Sequence, residues 1–314
     1  MFELPIKPGV HAFDHFCAHL DRMLAANSEK EFAELANGAV SYETLARDMR
    51  RLGVAFADLG LAVGDRVLVA SKDEGATVKL FLALLRAGMT PVIGDAEVTG
   101  PELGELLEVC EPAALYADEA MLANAALGGK LPQSKIIPIR EVHDVLSNGR
   151  DPGDWPAIEA RPDVALLVLT SGTTSTPKAV ELTHENLIAQ LAIFKDIYGF
   201  DSATRLLNLL PLHHVDGLIR GPLVALWFGG YLYRQTPFSV QNVPTILKKF
   251  GERNITHFIT VPAMLRIVAR LGSDARETFT GPDFRFILCS ADLLDAALWR
   301  HVEETFNTPV VNAY

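Results

Sequence analysis

Leu167-Val-Leu-Thr-Ser-Gly-Thr-Thr-Ser-Thr-Pro-Lys178 is the stretch that decides the fold. An apolar run that ends in a turn signal reads as a buried strand. The loop that follows offers backbone N–H groups, hydroxyls and one fixed positive charge, the donor set a polyphosphate needs. Its spacing is not that of a Walker loop. No second glycine precedes Lys178 and no serine or threonine follows it, which also sets aside a P-loop kinase.

Outward from this strand, short apolar runs alternate with helical patterns. Strands are expected at Arg66–Ala70, Thr90–Ile93, Ala113–Tyr116 and Lys135–Ile139, with helices at Ala76–Arg86, Pro101–Val109 and Glu119–Ala126. Past a Gly/Asp/Pro-rich loop at Ser147–Asp163, further strands are expected at Arg205–Leu210, Tyr231–Tyr233, Ile255–Ile259, Phe284–Cys289 and Pro309–Asn312. Repeated strand–helix–strand units make a mostly parallel sheet with helices on both faces. The expected fold is therefore α/β: two doubly wound sheets packed together, with a ligand site where strand ends converge. One subdomain spans about 61–200. The second takes about 1–60, including helices at Phe13–Asn27 and Tyr42–Leu59, together with 201–314.

Composition excludes several classes. Among 314 residues, 49% are hydrophobic, enough for a sizeable core, and 28 basic against 39 acidic residues leave a net charge of −11. Nucleic-acid binding needs a basic face and is disfavoured. No run approaches the ~20 apolar residues that span a bilayer. The N-terminus lacks a signal-peptide layout. Cys17, Cys110 and Cys289 are far apart and without metal-ligand spacing, so they read as free thiols in a reducing cytoplasm. His213 and His214 with Asp216 could suggest a metal site. No further ligand at plausible spacing accompanies them, and metal ligation there is set aside.

Five ordered segments carry a family resemblance. They are T-S-G-T-T-x-x-P-K at 170–178, Phe81-Leu-Ala-Leu-Leu-Arg-Ala-Gly-Met-Thr-Pro-Val92, Leu210-Pro-Leu-His-His-Val-Asp-Gly217, Thr260-Val-Pro-Ala-Met-Leu265 and Phe284-Arg-Phe-Ile-Leu-Cys-Ser-Ala-Asp-Leu-Leu294. Asn312-Ala-Tyr314 matches the start of a further one. From about Leu80 onward the chain resembles the adenylate-forming superfamily of acyl-CoA synthetases, AMP ligases and peptide-synthetase adenylation domains. Ala39-Val-Ser-Tyr-Glu-Thr-Leu45 is similar to that family's entry to its first long helix.

The resemblance implies roles for particular residues. Thr170, Ser171, Gly172, Thr173, Thr174, Ser175 and Lys178 would hold the phosphates of ATP, with Thr174 on Mg²⁺. Ser290, Ala291, Asp292 and Asn312 would line the nucleotide, and Tyr314 would stack on adenine. His214 would gate the acid and touch its carboxylate, in a pocket with Val215, Leu218, Phe258 and Val261. Amino-acid-activating relatives carry an aspartate near the position of His214, so histidine there disfavours an α-amino acid, and the apolar neighbours suit a fatty or aryl acid. The chain also departs from the family. Ser175 and Ala179 stand where glycines are usual, and Ser290-Ala291 replaces a glycine pair.

The implied reaction is ATP-dependent activation of a carboxylic acid to an acyl-adenylate, then transfer to the thiol of CoA or of a phosphopantetheine carrier. A stand-alone AMP ligase loading an acyl carrier protein stays open, as does a noncatalytic nucleotide- or acyl-binding module. The abrupt end at Tyr314 reads as a fragment. A magnesium-binding glutamate, a ribose-binding aspartate and a C-terminal lid are expected beyond it, and the 314 residues are expected to be nearly inactive alone.

Overall fold

In the computed structural model, residues 5–124, 129–156, 158–170, 178–272, 276–279 and 281–313 are described. Along the chain run α1 (Ala12–Ala26), β1 (Glu31–Leu35), β2 (Gly38–Ser41), α2 (Tyr42–Asp58), β3 (Arg66–Ala70), α3 (Glu74–Arg86), β4 (Thr90–Ile93), α4 (Gly100–Cys110) and β5 (Ala114–Ala117). There follow α5 (Glu119–Asn124), β6 (Ile136–Pro138), α6 (Ile139–Asn148), β7 (Val164–Thr170), β8 (Lys178–Thr183), α7 (His184–Tyr198), β9 (Arg205–Asn208), α8 (Val215–Leu218) and α9 (Val224–Phe228). The last are β10 (Tyr231–Tyr233), α10 (Val243–Glu252), β11 (His257–Thr260), α11 (Pro262–Leu271), β12 (Phe286–Cys289), α12 (Ala296–Phe306) and β13 (Val310–Asn312).

The chain divides into two compact units. The first comprises Met1–Glu29, Tyr42–Gly199 and Leu212–His214. Its six-stranded sheet has the order β6-β5-β3-β4-β7-β8, parallel except for the antiparallel pair β7–β8. β3, β4 and β5 are almost wholly buried, as strands covered on both faces must be. α3 is buried nearly all round and turns into β4 at Gly88, whose φ of +75° a side chain rarely adopts.

The second unit comprises Lys30–Ser41, Phe200–Pro211 and Val215–Tyr314. Its seven-stranded sheet has the order β13-β12-β11-β9-β10-β1-β2, with only β2 antiparallel to its neighbour. An aromatic cluster of Phe250, Phe258, Phe279 and Phe306 fills the core beside α10 and α12.

Three features differ from the sequence expectation. α1 and α2 belong to the first unit, not with the later elements. The apolar face of α1 (Phe13, Phe16, Leu20, Leu24) meets α7, and α2 packs on α3 and α6. The strand expected at Lys135–Ile139 shrinks to Ile136–Pro138, because Ile139 and Val142 bury one face of α6. β8 and the β1–β2 hairpin were not foreseen as strands. β8 lies at a sheet edge, where none of its residues is buried and no clean alternation is kept.

No helix is long and apolar enough to cross a membrane among the described residues. Cys17, Cys110 and Cys289 are free and buried, and burial raises the pKa of each thiol.

Candidate active site

In the first unit the candidate residues sit at strand ends. β7 and β8 pair from Val164↔Thr183 to Thr170↔Lys178, so the hydroxyl-rich loop leaves and re-enters the sheet at one base. Thr170 Oγ1 donates to the Lys178 carbonyl at 3.4 Å, and both side chains are exposed. Ser171, Gly172, Thr173, Thr174 and Ser175 lie outside the described residues, as does Tyr314. Ala179, at a glycine position of the family, is an ordinary strand residue opposite Leu169.

His213 and His214 stack with ring centroids 4.1 Å apart. His213 Nδ1 lies 3.7 Å from Asp95 Oδ1, just past β4. Burial lowers the pKa of His213, with His214 adding to the effect and Asp95 opposing it, which leaves the ring neutral at pH 7. His214 is exposed. Among the described residues no group of three or more His, Cys, Asp or Glu is arranged to hold a metal ion.

In the second unit the candidates gather at the C-terminal ends of β11, β12 and β13, the side of a parallel sheet where ligands bind. Ser290 N donates to Thr260 O at 3.1 Å and Ala313 N to Cys289 O at 2.9 Å, tying the three ends together. Ser290 is buried, while Ala291 and Asp292 are exposed. Ala291 adopts φ +69°, so the left-handed turn natural to glycine is kept although glycine is not. Asn312 Oδ1 is buried without a hydrogen-bond partner, an acceptor suited to a ligand N–H.

Val215 and Val261 are half-buried and Leu218 is buried. Phe258, expected to line the acid pocket, belongs to the core instead. It is fully buried, edge-on to Phe250 at 5.4 Å and parallel to Phe279 at 6.4 Å.

Sequence reasoning assigned no role to a polar group at the end of β9. Asn208 Oδ1 accepts from Leu210 N at 3.0 Å. Arg234 Nη1 donates to the carbonyls of Asn208 and Leu210 at 2.7 and 2.9 Å. Asp216 joins them through its carbonyl, which accepts from Asn208 Nδ2 at 2.9 Å. The one available signal was an aspartate and an arginine, Asp216 and Arg220, one helical turn apart in an otherwise apolar stretch.

The chain belongs to the AMP-binding enzyme family, whose model matches residues 20–314. It is 30% identical over 274 residues to an oxalate–CoA ligase of Arabidopsis thaliana, covering 82% of this chain and 51% of that protein. It is 36% identical over 267 residues to a probable CoA ligase, CCL9, of Humulus lupulus, covering 81% and 50%. Its fold matches the crystal structure of apo MatB from Rhodopseudomonas palustris with a TM-score of 0.82 at 23% identity, over 97% of this chain and 60% of that one. The chain thus spans about half the length of the curated relatives it matches.

Proposed function

We propose that this protein activates a carboxylic acid with ATP and passes the acyl group to a thiol. A carboxylate oxygen attacks the α-phosphorus, the P–O bond to the β-phosphate breaks, and pyrophosphate leaves with the electron pair. The thiolate then attacks the acyl carbon and AMP departs. Two anions must be brought together and charge on the leaving pyrophosphate neutralised.

The β7–β8 hairpin carries this reading: it pairs Thr170 with the exposed Lys178, the two residues that flank the hydroxyl-rich segment. Lys178 and the Thr173 and Thr174 hydroxyls would meet the departing phosphates, with Thr174 also on Mg²⁺. The orphaned Asn312 Oδ1 suits an exocyclic amine such as adenine's. The CoA ligases among its relatives favour CoA as the thiol. His214 with Val215, Leu218 and Val261 favours an apolar acid over an amino acid.

Pyrophosphate release by the full-length protein against a panel of acids tests this directly. Fatty or aryl acids are expected to support turnover, and preference for an α-amino acid or a small diacid would contradict the assigned acid class. Lys178→Ala is expected to slow release about 100-fold, the usual cost of one lost transition-state donor. Its affinity for an acyl-adenylate mimic, which lacks the leaving pyrophosphate, should change little.

A further inference from the structure

We infer that Asp216 is a positioning residue that straps the nucleotide-facing turn at Ser290–Asp292 to the end of β9. This rests on the adenylate reading of that turn and extends it to a residue with no assigned role. The two carboxylate oxygens of Asp216 are divided between partners. Oδ2 accepts from Ser290 Oγ at 2.6 Å, and Oδ1 accepts from Arg220 Nη1 at 2.6 Å. The Asp216 carbonyl meanwhile holds Asn208, the last residue of β9.

Strand β11 lies between β9 and β12 in the sheet. The contacts Asn208–Asp216–Ser290 therefore link the ends of strands two spacings, about 10 Å, apart. They reach across the end of β11 to the end of β12, where the Ser290 amide is already tied to Thr260. Gly217 makes this reach possible. A Cβ there would lie 2.1 Å from Pro211 O and 2.8 Å from Leu210 O, so glycine lets α8 press its backbone onto the segment just after β9.

What the strap holds is the strained part of the turn. Ala291 follows Ser290 directly and sits at φ +69° without glycine's freedom. A turn that pays such a backbone cost persists only where its surroundings fix it. The Asp216–Ser290 hydrogen bond is one such fixture on its N-terminal side, and the Arg220 contact orients the aspartate.

The test uses Ser290→Ala, Asp216→Asn and the double variant, with two readouts. The first is amide hydrogen exchange at Ala291–Leu293 in the ligand-free chain, expected to quicken in each variant. The second is affinity for AMP, expected to fall about tenfold in each single variant, the size of one lost charge-assisted hydrogen bond. The double variant should fall no further than the weaker single, because both substitutions cut one link. Ser290→Ala leaves the Arg220–Asp216 pair intact, so the variant should still fold and melt cooperatively, at a modestly lower temperature than the wild type. Unchanged exchange, unchanged AMP affinity in Ser290→Ala, or losses that multiply in the double variant would overturn the inference. If the wild type binds no AMP, the adenylate reading falls, whereas the exchange result still decides whether the strap exists.

Discussion

Ala291 shows what one side chain can cost. At φ +69° an L-residue is strained by about 1–2 kcal/mol, and glycine at the same place is not. Ala291→Gly is therefore expected to stabilise the second unit by about 1 kcal/mol, somewhat offset by the greater freedom of the unfolded chain. A shift of the urea midpoint to higher concentration would show it. Asn312 is the complementary case, a buried oxygen with no donor. Phe258 marks where reading single residues fails. Strand alternation sends His257 toward Phe200 and Phe286, and sends Phe258 toward Phe250 and Phe279. Nothing local in the sequence says which of those faces meets a ligand.

At the scale of elements, the buried strands and their helices were legible because each carries its own apolar run or periodicity. β3 and β4 fall where the pattern places them, and α3 differs by two residues at its start. Three strands, β1, β2 and β8, were not legible. β8 draws its strand character from pairing with β7, and β1–β2 from pairing with each other and with β10, so the information lies in the partner. The site divides the same way. Its motifs were readable as ordered strings, whereas the bond from Asp216 to Ser290 joins positions 74 residues apart and has no sequence signature. α8 depends on one position. Gly217→Ala would force backbone apart at Pro211 and Leu210, at an expected cost of about 3 kcal/mol. A thermal melt that matches the wild type would refute that close approach.

At the scale of the whole molecule, each unit buries a neutral histidine. In the first unit His184 sits edge-on to Phe13 and Phe16. Its Nδ1 donates to the Asp163 carbonyl at 3.2 Å, and its Nε2 is buried without a partner. Burial drives its pKa down to about 4, against the lesser upward pull of the carbonyls. In the second unit burial, aided by Arg285 and opposed by Asp201, drives His257 down to about 3. Unfolded histidine titrates near 6.5, so below that pH the unfolded state binds protons that the folded state refuses. Stability is full above pH 6.5 and falls as the pH drops toward 4. Each histidine costs about 2 kcal/mol by pH 5. Urea midpoints at pH 7.5 and 5 would show the loss, and His257→Phe should remove part of it.

The central claim is that this chain carries an acyl-adenylate site, and calorimetric titration with nonhydrolysable acyl-adenylate mimics, from short aryl to long alkyl, against AMP alone tests it most directly. The expected result is selective binding of one apolar acyl class, tighter than AMP, that weakens in Asn312→Ala. Equal and negligible binding of every mimic and of AMP would contradict the claim.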